Sequence, residues 1–317
     1  MNSDIFSTTG THGAGSHKSG VVAIIGPPNA GKSTLLNQLL GQKVAIVTPK
    51  PQTTRNRISG IFTRDDAQVV FLDTPGVHQS RKALNRFLVE SAWQALYGAD
   101  AVLLLLDASL YADKPQLLQR DLGHIRSRLQ DSGLPLVVAL NKIDRLKDKQ
   151  ALLPVLQELN QAFPGLEVHT VSATRGEGVQ PLLEAVIRLL PQGPCYYPED
   201  QISTMPLRFM ASEIIREKLF LALGQELPYT VAVDIEDWAE DPARNIVHVS
   251  AIIYVARAAH KPMVIGKGGS LLKRVGQQSR IEIQELTETR VNLNLWVKVR
   301  PKWDRDARFM SSLGLGA

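Results

Sequence analysis

The sequence contains a single cysteine, Cys195, among its 317 residues. No disulfide can form within the chain, and no cluster of thiolates can hold a metal ion. The longest strongly apolar run, from Ala101 to Leu106, is far shorter than the roughly 20 residues needed to cross a bilayer. The first 19 residues are rich in Ser, Thr, Gly and His and lack the apolar centre of a secretory signal. These absences favour a reducing, cytoplasmic environment over an extracellular or membrane-spanning one.

What is present is the composition of an ordinary globular protein, with 44% apolar and 21% charged residues. The net charge of +5 favours polyanionic partners only weakly. The chain is longer than the usual single domain of about 100 to 200 residues, so two domains are expected.

From Gly20 onward, apolar runs typical of buried strands alternate with helical stretches. These runs are residues 21–25, 68–72, 101–106, 136–140 and 167–171. The alternation predicts a doubly wound, mostly parallel α/β sheet. The Pro-rich segment Leu190 to Pro198 then interrupts the pattern, because repeated prolines continue neither a helix nor a strand ladder. Beyond this segment the predicted order is α-β-β-α-α-β, which indicates a second, smaller α+β domain.

These observations define the predicted boundaries. Residues 1–19 are expected to form a disordered tail, and residues 20–190 the first domain. A linker covers residues 191–205, the second domain covers residues 206–304, and a C-terminal tail covers residues 305–317.

A phosphate-binding loop is predicted directly after the first strand. Residues 26–33 match the pattern G-x-x-x-x-G-K-[ST] between a strand and a helix. Backbone N–H groups of this turn would surround the phosphates, Lys32 would contact the β and γ oxygens, and Ser33 would bind Mg²⁺. The expected contacts with the nucleotide are Gly26, Pro27, Pro28, Asn29, Ala30, Gly31, Lys32, Ser33 and Thr34.

Three further motifs follow later strands in the order expected of a guanine-nucleotide site. Asp73-Thr74-Pro75-Gly76 would provide a Mg²⁺ ligand at Asp73 and an N–H for the γ-phosphate at Gly76, although this tetrapeptide is also an ordinary turn. In Asn141-Lys142-Ile143-Asp144, the carboxylate of Asp144 would accept from the two N–H groups of guanine, where adenine would leave it unpaired. Asn141 would tie loops together and Lys142 would cover the base. Ser172-Ala173 would offer a backbone N–H to the guanine oxygen.

These motifs together resemble those of the Era family of GTPases, over about residues 20–304. The resemblance implies a P-loop GTPase sheet, GTP hydrolysis with Mg²⁺, and a first switch at residues 51–55. By that resemblance Thr54, rather than Thr53, supplies a Mg²⁺ ligand, so that the expected metal ligands are Ser33, Thr54 and Asp73.

The catalytic residue expected after the Asp-x-x-Gly motif is missing. Many GTPases place a Gln there to orient the attacking water, but this sequence has Val77, so slow intrinsic hydrolysis is expected. Asn29 resembles a phosphate-loop Asn that binds K⁺ in related GTPases; the competing hypothesis is that Asn29 only stabilises the loop. His78 and Arg55 are weaker catalytic candidates, because a single charged loop residue is usually just solvated.

A glycine-rich loop between two predicted helices indicates RNA binding in the second domain. Gly266-Lys267-Gly268-Gly269 matches the G-x-x-G loop with which KH domains hold about four nucleotides, and the element order is that of a type II KH domain. Residues 261–302 contain nine Lys or Arg against three Glu, a balance of +6. The expected RNA contacts are Val264, Ile265, Gly266, Lys267, Gly268, Gly269, Lys273, Arg274 and Arg280. Trp296, Trp303 and Tyr254 are expected to pack in the core or at an edge rather than to stack on bases.

The family resemblance extends these expectations to partners. It implies binding of the 3′ end of 16S rRNA, a role in maturation of the 30S ribosomal subunit, and peripheral association with the membrane; a monomer is expected. Two alternatives remain open from the residues themselves. One is a signalling GTPase whose basic domain docks on protein or anionic lipid, and the other is an RNA-binding protein with a degenerate GTPase domain.

Overall fold

The first sheet has six strands, one more than the sequence predicts. The computed structural model describes residues 17–50, 53–77 and 83–315. The strands are β1 (Lys18–Ile25), β2 (Ile58–Arg64), β3 (Ala67–Asp73), β4 (Ala101–Asp107), β5 (Leu136–Asn141) and β6 (Val168–Thr170). They are arranged in the order β2-β3-β1-β4-β5-β6. All neighbours are parallel except β2, which pairs antiparallel with β3. The additional strand is therefore an antiparallel edge strand on the predicted parallel sheet.

Six helices cover the two faces of this sheet. They are α1 (Lys32–Leu40), α2 (Ala83–Gln94), α3 (Ala108–Asp113), α4 (Pro115–Ser132), α5 (Leu153–Ala162) and α6 (Val179–Leu189). Helices α1 and α6 pack on one face through residues such as Leu35 and Leu182, and α2, α4 and α5 pack on the other. Strand β4 is buried along almost its whole length, as expected for a central parallel strand covered on both faces. The doubly wound architecture predicted from the sequence is confirmed.

The linker lies along the edge of the first domain. The backbone N–H groups of Tyr196 and Tyr197 donate to Gln68 Oε1 at 2.7 and 3.0 Å. The N–H of Ile61 donates to the Ile202 carbonyl at 2.7 Å. Strand β1 begins at Lys18, so it includes the last two residues of the predicted N-terminal tail.

The second domain has the predicted α-β-β-α-α-β order. Its elements are α7 (Leu207–Ala222), β7 (Val231–Asp241), β8 (Ile246–Val255), α8 (His260–Ile265), α9 (Ser270–Thr287) and β9 (Arg290–Val299). Strand β8 lies in the centre, antiparallel to β7 and parallel to β9. Helices α7 and α9 cover one face of the sheet around a core that includes Phe220, Val249 and Ile283. The prediction of a second, smaller α+β domain is confirmed.

The predicted C-terminal tail contains a helix, α10 (Ala307–Ser312). Phe309 and Met310 of this helix share an apolar cluster with Trp303, with Leu84 and Leu88 of α2, and with Ala232 of β7. The chain after residue 304 is therefore part of the fold and joins the two domains. Within the described ranges, no helix combines the length and the apolar character needed to cross a membrane.

Candidate functional site

The phosphate-binding loop connects β1 to α1 at the carboxyl end of the sheet. Gly31 has φ +97°, and a Cβ added there would lie 2.3 Å from Asn141 Nδ2. A Cβ on Gly26 would lie 2.1 Å from the Leu105 carbonyl oxygen. Both positions therefore require glycine. Helix α1 has no acidic residue in its first turn, so its free N–H groups face the site with uncompensated positive potential.

Lys32 is buried in this loop. Its Nζ donates to the carbonyl oxygens of Gly26 and Pro27, each at 3.0 Å. Burial lowers the pKa of Lys32 to about 8, partly offset by the nearby Asp73 carboxylate. The ammonium is already desolvated and held by two neutral acceptors, so an anionic phosphate would be a better partner than either.

The three predicted metal ligands lie together beside the loop. Ser33 Oγ donates to Asp73 Oδ2 at 2.5 Å and lies 2.8 Å from Thr54 Oγ1. Thr54 Oγ1 is 3.4 Å from the same Asp73 oxygen. The other carboxylate oxygen, Oδ1, is buried and has no hydrogen-bond partner among the described residues. Burial raises the pKa of Asp73, against the opposing effects of Lys32, Ser33 and Thr54.

This group of oxygens fits a Mg²⁺ ion. A hard cation prefers carboxylate and hydroxyl oxygens, and a divalent charge would stabilise a carboxylate that burial disfavours. Thr53 does not contribute, because its Oγ1 donates to the Lys50 carbonyl at 2.7 Å and lies 2.6 Å from Thr48 Oγ1. The structure thus brings Thr54, and not Thr53, to the other two ligands. Pro51 and Gln52 of the predicted switch lie outside the described residues.

The base-recognition loops are tied directly to the phosphate loop. Asn141 Nδ2 donates to the Ala30 carbonyl at 2.8 Å, and Asn141 Oδ1 accepts from the N–H of Ala173 at 3.0 Å. Lys142 Nζ donates to the Asn29 carbonyl and, at 2.5 Å, to Asp107 Oδ2. The two loops therefore open onto one site, which is the arrangement that a bound nucleotide requires.

Asp144 lies at the far end of the same site. Its Oδ1 accepts from Ser172 Oγ at 2.6 Å. This hydrogen bond holds the carboxylate in place while the other oxygen and the remaining lone pairs stay available to a base. No described residue forms an ion pair with Asp144 within 4.0 Å, so its charge is not already neutralised by a salt bridge.

The remaining residues of the Asp-x-x-Gly motif have defined positions. Thr74 Oγ1 donates to the Ile24 carbonyl at 2.8 Å, and Pro75 is buried. Gly76 lies against the phosphate loop, where an added Cβ would come within 2.6 Å of Pro28 Cα. The side chain of Val77 is buried in the core under α2 and α4, so it takes no part in positioning water.

Of the two weaker catalytic candidates, only Arg55 lies among the described residues, and its side chain is turned away from the phosphate loop. Arg55 is fully buried, and its guanidinium points into the second domain. His78 lies outside the described residues. Asn29 is exposed with φ +62° at the rim of the loop. Four residues that the sequence did not predict also line the cavity beside the phosphate loop: Ile46, Val47, Thr48 and Lys50. These four residues belong to no sequence motif. They line the cavity only because the chain after α1 folds over that helix.

The glycine-rich loop of the second domain projects into solvent between α8 and α9. Lys267 and Gly268 are exposed, as are Lys273, Arg274 and Arg280 on α9. Gly266 has φ +76°, and a Cβ there would lie 2.9 Å from the Leu271 backbone nitrogen. Ile265 is half-buried, whereas Val264 is fully buried in the domain core. The prediction that Val264 contacts RNA is corrected accordingly, because its side chain supports the loop from within.

The three aromatic residues considered above for base stacking differ in exposure. Trp303 is fully buried, and its Nε1 donates to the Thr230 carbonyl at 2.9 Å. Tyr254 packs edge-to-face on Phe309, with ring centroids 5.0 Å apart. Trp296 is 60% exposed on the edge strand β9, so its packing is limited to that edge.

Comparisons with known proteins match both domains. Residues 21–142 match a family described as 50S ribosome-binding GTPase, and residues 226–304 match a family described as KH domain. GTPase Era of Nitratidesulfovibrio vulgaris strain DP4 is 56% identical over 299 residues, covering 94% of this chain and 97% of that protein. GTPase Era of Azotobacter vinelandii is 45% identical, with 93% and 96% covered.

Two solved structures resemble the whole fold. A variant of Aquifex aeolicus Era bound to GDP and AlF₄⁻ has a TM-score of 0.88 and 38% identity, covering 94% of this chain and 99% of that one. Era in complex with MgGDPNP and nucleotides 1506–1542 of 16S ribosomal RNA has a TM-score of 0.87 and 37% identity, with the same coverage. With the two matched domains and these relatives over nearly the whole chain, the protein belongs to the Era family of GTPases.

Proposed function

We propose that this protein is a GTP-hydrolysing switch that binds the 3′ end of 16S rRNA and assists maturation of the small ribosomal subunit. The nucleotide part of the proposal rests on the hydrogen bond from Asn141 Nδ2 to the Ala30 carbonyl oxygen, at 2.8 Å. It makes the phosphate loop and the base loop parts of one site. The triphosphate would lie across residues 26–34 and the guanine edge would meet Asp144, Ser172 and Ala173.

Mg²⁺ would be held by Ser33, Thr54 and Asp73. When bound, the ion would supply positive charge that stabilises the negative charge developing during phosphoryl transfer. Lys32 would exchange the Gly26 and Pro27 carbonyls for phosphate oxygens and stabilise the leaving charge. The N–H of Gly76 would meet the γ-phosphate. The contribution of the protein is thus positioning and electrostatic stabilisation.

Slow intrinsic hydrolysis is part of the proposal. Val77 is buried where a water-orienting Gln would stand, and Arg55 is committed to contacts elsewhere. We propose that Asn29, at the rim of the phosphate loop, holds a K⁺ ion that assists hydrolysis. Turnover measured in K⁺ and in Na⁺ at equal ionic strength tests this role; equal rates, or an unchanged ratio in Asn29→Ala, would leave Asn29 as a loop residue only.

The RNA part rests on the second domain. Its exposed loop at Lys267 and Gly268 can approach a phosphate backbone closely, and three cations on α9 flank it. The similar Era structure holds nucleotides 1506–1542 of 16S ribosomal RNA. By this similarity the expected target is the same 3′ segment, contacted by Ile265, Gly266, Lys267, Gly268, Gly269, Lys273, Arg274 and Arg280.

Asp144→Asn is the experiment that tests the nucleotide assignment. Guanine donates two hydrogen bonds to a carboxylate, whereas an Asn side chain can donate to the carbonyl oxygen that xanthine carries in place of the amine. The affinity for GTP should fall by about 100-fold or more, and xanthosine triphosphate should become the preferred nucleotide. Competition binding with both triphosphates measures the change. Unaltered preference for GTP would refute the assignment of Asp144.

Binding of a labelled oligonucleotide of the 16S 3′ end tests the RNA assignment, with a scrambled oligonucleotide as control. Equal, weak binding of both would contradict a sequence-specific RNA site. Binding of anionic vesicles in preference to either oligonucleotide would instead favour a signalling GTPase that docks on lipid.

The cellular setting follows from this proposal and from the family resemblance. We propose a monomer that acts on the 30S subunit in the cytoplasm, with peripheral association at the inner face of the membrane. Crosslinking to cellular RNA in the GTP and GDP states, together with fractionation of the same cells, tests both points.

A further inference from the structure

The second domain holds the chain segment that carries Thr54. The second domain contacts residues 43–50 and residues 53–55 of this segment. These ranges lie before and after positions 51 and 52, which are outside the described residues. Lys43 forms ion pairs with Glu217 at 2.7 Å and Glu282 at 2.6 Å. The Val47 N–H donates to Glu217 Oε1 at 2.9 Å, and Lys50 Nζ donates to the Leu223 carbonyl at 2.5 Å. Helix α7 is therefore bound along the whole described part of this segment.

Arg55 makes the most deeply buried of these contacts. Its Nη1 donates to the Val231 carbonyl at 2.8 Å, and its Nη2 donates to the carbonyls of Pro228 and Tyr229, each at 3.2 Å. The guanidinium lies 5.2 Å from the centroid of the Phe220 ring. The side chain is 0% exposed, so these carbonyls and this ring replace the water that a guanidinium would otherwise bind.

Thr54 is held by the second domain on both sides. The carbonyl of the preceding residue, Thr53, accepts from Arg216 Nη2 at 2.5 Å. Arg216 is itself fixed by Glu213, whose carboxylate it meets at 2.5 and 2.7 Å. The following residue, Arg55, is buried as described. Thr54 lies between these two anchored residues. Its hydroxyl points towards the first domain, where it lies 2.8 Å from Ser33 Oγ.

From this geometry we infer that Arg55 is a positioning residue for the metal ligand Thr54, and that the RNA-binding domain is thereby required to complete the Mg²⁺ site. The inference rests on the proposed role of Thr54 as a ligand. The guanidinium of Arg55 contacts carbonyls of the second domain and none of the residues proposed to bind the nucleotide or the metal. It fixes the backbone next to Thr54 through a turn, residues 228–231, that belongs to the other domain.

The coupling operates in both directions. A bound nucleotide and Mg²⁺ that require Thr54 as a metal ligand would stabilise the buried position of Arg55 in the second domain. Conversely, an event that moves the turn at residues 228–231 away from Arg55 withdraws support from Thr54. The seating of Arg55 in the second domain and the support of Thr54 at the proposed Mg²⁺ site are thus linked through one residue, whose backbone lies in the first domain and whose side chain lies in the second.

The test compares matched arginine substitutions in the full chain. Arg55→Lys keeps the charge but has a single donor group, which cannot reach three carbonyls in the same fork geometry. Arg208→Lys is the control, because Arg208 also donates to backbone carbonyls, those of Ile235 at 2.6 Å and Glu236 at 3.0 Å. Both partners of Arg208 lie within the second domain. Thr54→Ala is the reference for loss of the ligand itself.

The readout is the Mg²⁺ concentration that gives half-maximal binding of a non-hydrolysable GTP analogue, measured beside the affinity for GDP without Mg²⁺. Arg55→Lys should raise that Mg²⁺ concentration by about 10-fold, as expected for a residue that orients a metal ligand, and should change the GDP affinity by less than twofold. Arg208→Lys should shift neither quantity. Thr54→Ala should raise the Mg²⁺ requirement by at least as much as Arg55→Lys.

An unchanged Mg²⁺ requirement in folded Arg55→Lys, or an equal shift in Arg208→Lys, would overturn the inference. If Thr54→Ala itself has no effect, the proposed metal ligand set fails instead, and the two failures are distinct. Should Arg55→Lys not fold, as judged by thermal unfolding, Arg216→Lys decides the question, since it removes the other anchor next to Thr54. An unchanged Mg²⁺ requirement in that variant would equally refute the role of the second domain.

Discussion

Two glycine-rich turns before a helix, the phosphate loop and the loop at residues 266–269, differ in what surrounds them. In the phosphate loop, the space beside Gly26 is filled by the Leu105 carbonyl of β4, and the space beside Gly31 by the Asn141 amide at the end of β5. In the loop at residues 266–269, no atom lies within 4 Å of a Cβ added at Gly268 or Gly269. The phosphate loop is thus enclosed at both of these glycines, whereas the second turn packs closely against Leu271 at Gly266 but is open at Gly268 and Gly269.

This difference separates two ways of binding phosphate. A pre-formed cradle loses little entropy on binding and discriminates by geometry, so small changes of backbone should be severe. An open, positively charged loop acts through charge and close approach, so changes of charge should matter more than changes of shape. The following predictions test this contrast, from the largest expected effect to the smallest.

Gly31→Ala should affect the pre-formed cradle most. The added Cβ would overlap Asn141 Nδ2, and the positive φ disfavours alanine, which together cost about 3 to 5 kcal/mol. The affinity for GTP should fall by about 1,000-fold, measured by fluorescence titration with a labelled nucleotide. Gly41→Ala is the matched control, since φ there is +68° and the space is open. An equal loss of affinity in the control would show that backbone strain alone, and not the shaped cradle, matters.

Thr54→Ala should lower kcat by about 100-fold, because it would remove one of the three oxygen groups proposed to hold Mg²⁺. Thr53→Ala should have a much smaller effect, since the Thr53 hydroxyl bonds only within its own loop, to Lys50 and Thr48. Steady-state phosphate release in saturating Mg²⁺ distinguishes the two variants. A larger loss in Thr53→Ala would reverse the assignment of the metal ligand.

A double change in the open loop, Lys267→Asp with Gly268→Asp, should weaken RNA binding by about 10-fold at physiological salt, because it replaces a phosphate-binding cation with two anions. The dependence of affinity on salt should also become shallower. Fluorescence anisotropy with a 16S 3′-end oligonucleotide measures both quantities. Arg64→Gln, which removes an exposed ion pair with Glu184 on the first domain, controls for a general change of surface charge.

The smallest effect is expected for Gly268→Ala. No atom meets the new methyl group, so RNA affinity should change less than threefold, as for most surface substitutions. The positive φ of +58° should still lower the free energy of unfolding by about 1 kcal/mol. Denaturant unfolding and the same anisotropy assay test these expectations. A large loss of RNA affinity without loss of stability would mean that this loop, too, fits its ligand closely.

The sequence predicted the sheet well where strands are buried on both faces. Runs such as Ala101 to Leu106 are apolar throughout, and only a central parallel strand is expected to read that way. Strand β2 was missed because Ile58–Arg64 is an edge strand whose polar residues, Ser59 and Thr63, break the apolar run. The helix at Ala307–Ser312 was missed for a similar reason, because its packing partners on α2 lie more than 200 residues earlier in the sequence.

The site residues likewise divide into those that the sequence could predict and those that it could not. The order of short motifs along the strands indicated that Lys32, Asp73 and Asn141 should share a site, because parallel strands end at one edge. Arg55 could not be understood from the sequence. It stands in the predicted switch and suggests a catalytic group, yet its partners are carbonyls 173 to 176 residues away. Backbone acceptors leave no pattern in a sequence, so only the fold reveals them.

The cluster that joins α10 to α2 also bears on the order in which the protein matures during translation. Strands β1 to β6 and their helices are synthesised first and can fold as they leave the ribosome. Phe309 and Met310 follow both domains in the chain, so the cluster with Leu84 and Leu88 can close only after both domains have been synthesised. A nascent chain can therefore have a folded first domain before this cluster forms. The contact between α10 and α2 is thus made later in synthesis than the sheet on which α2 packs.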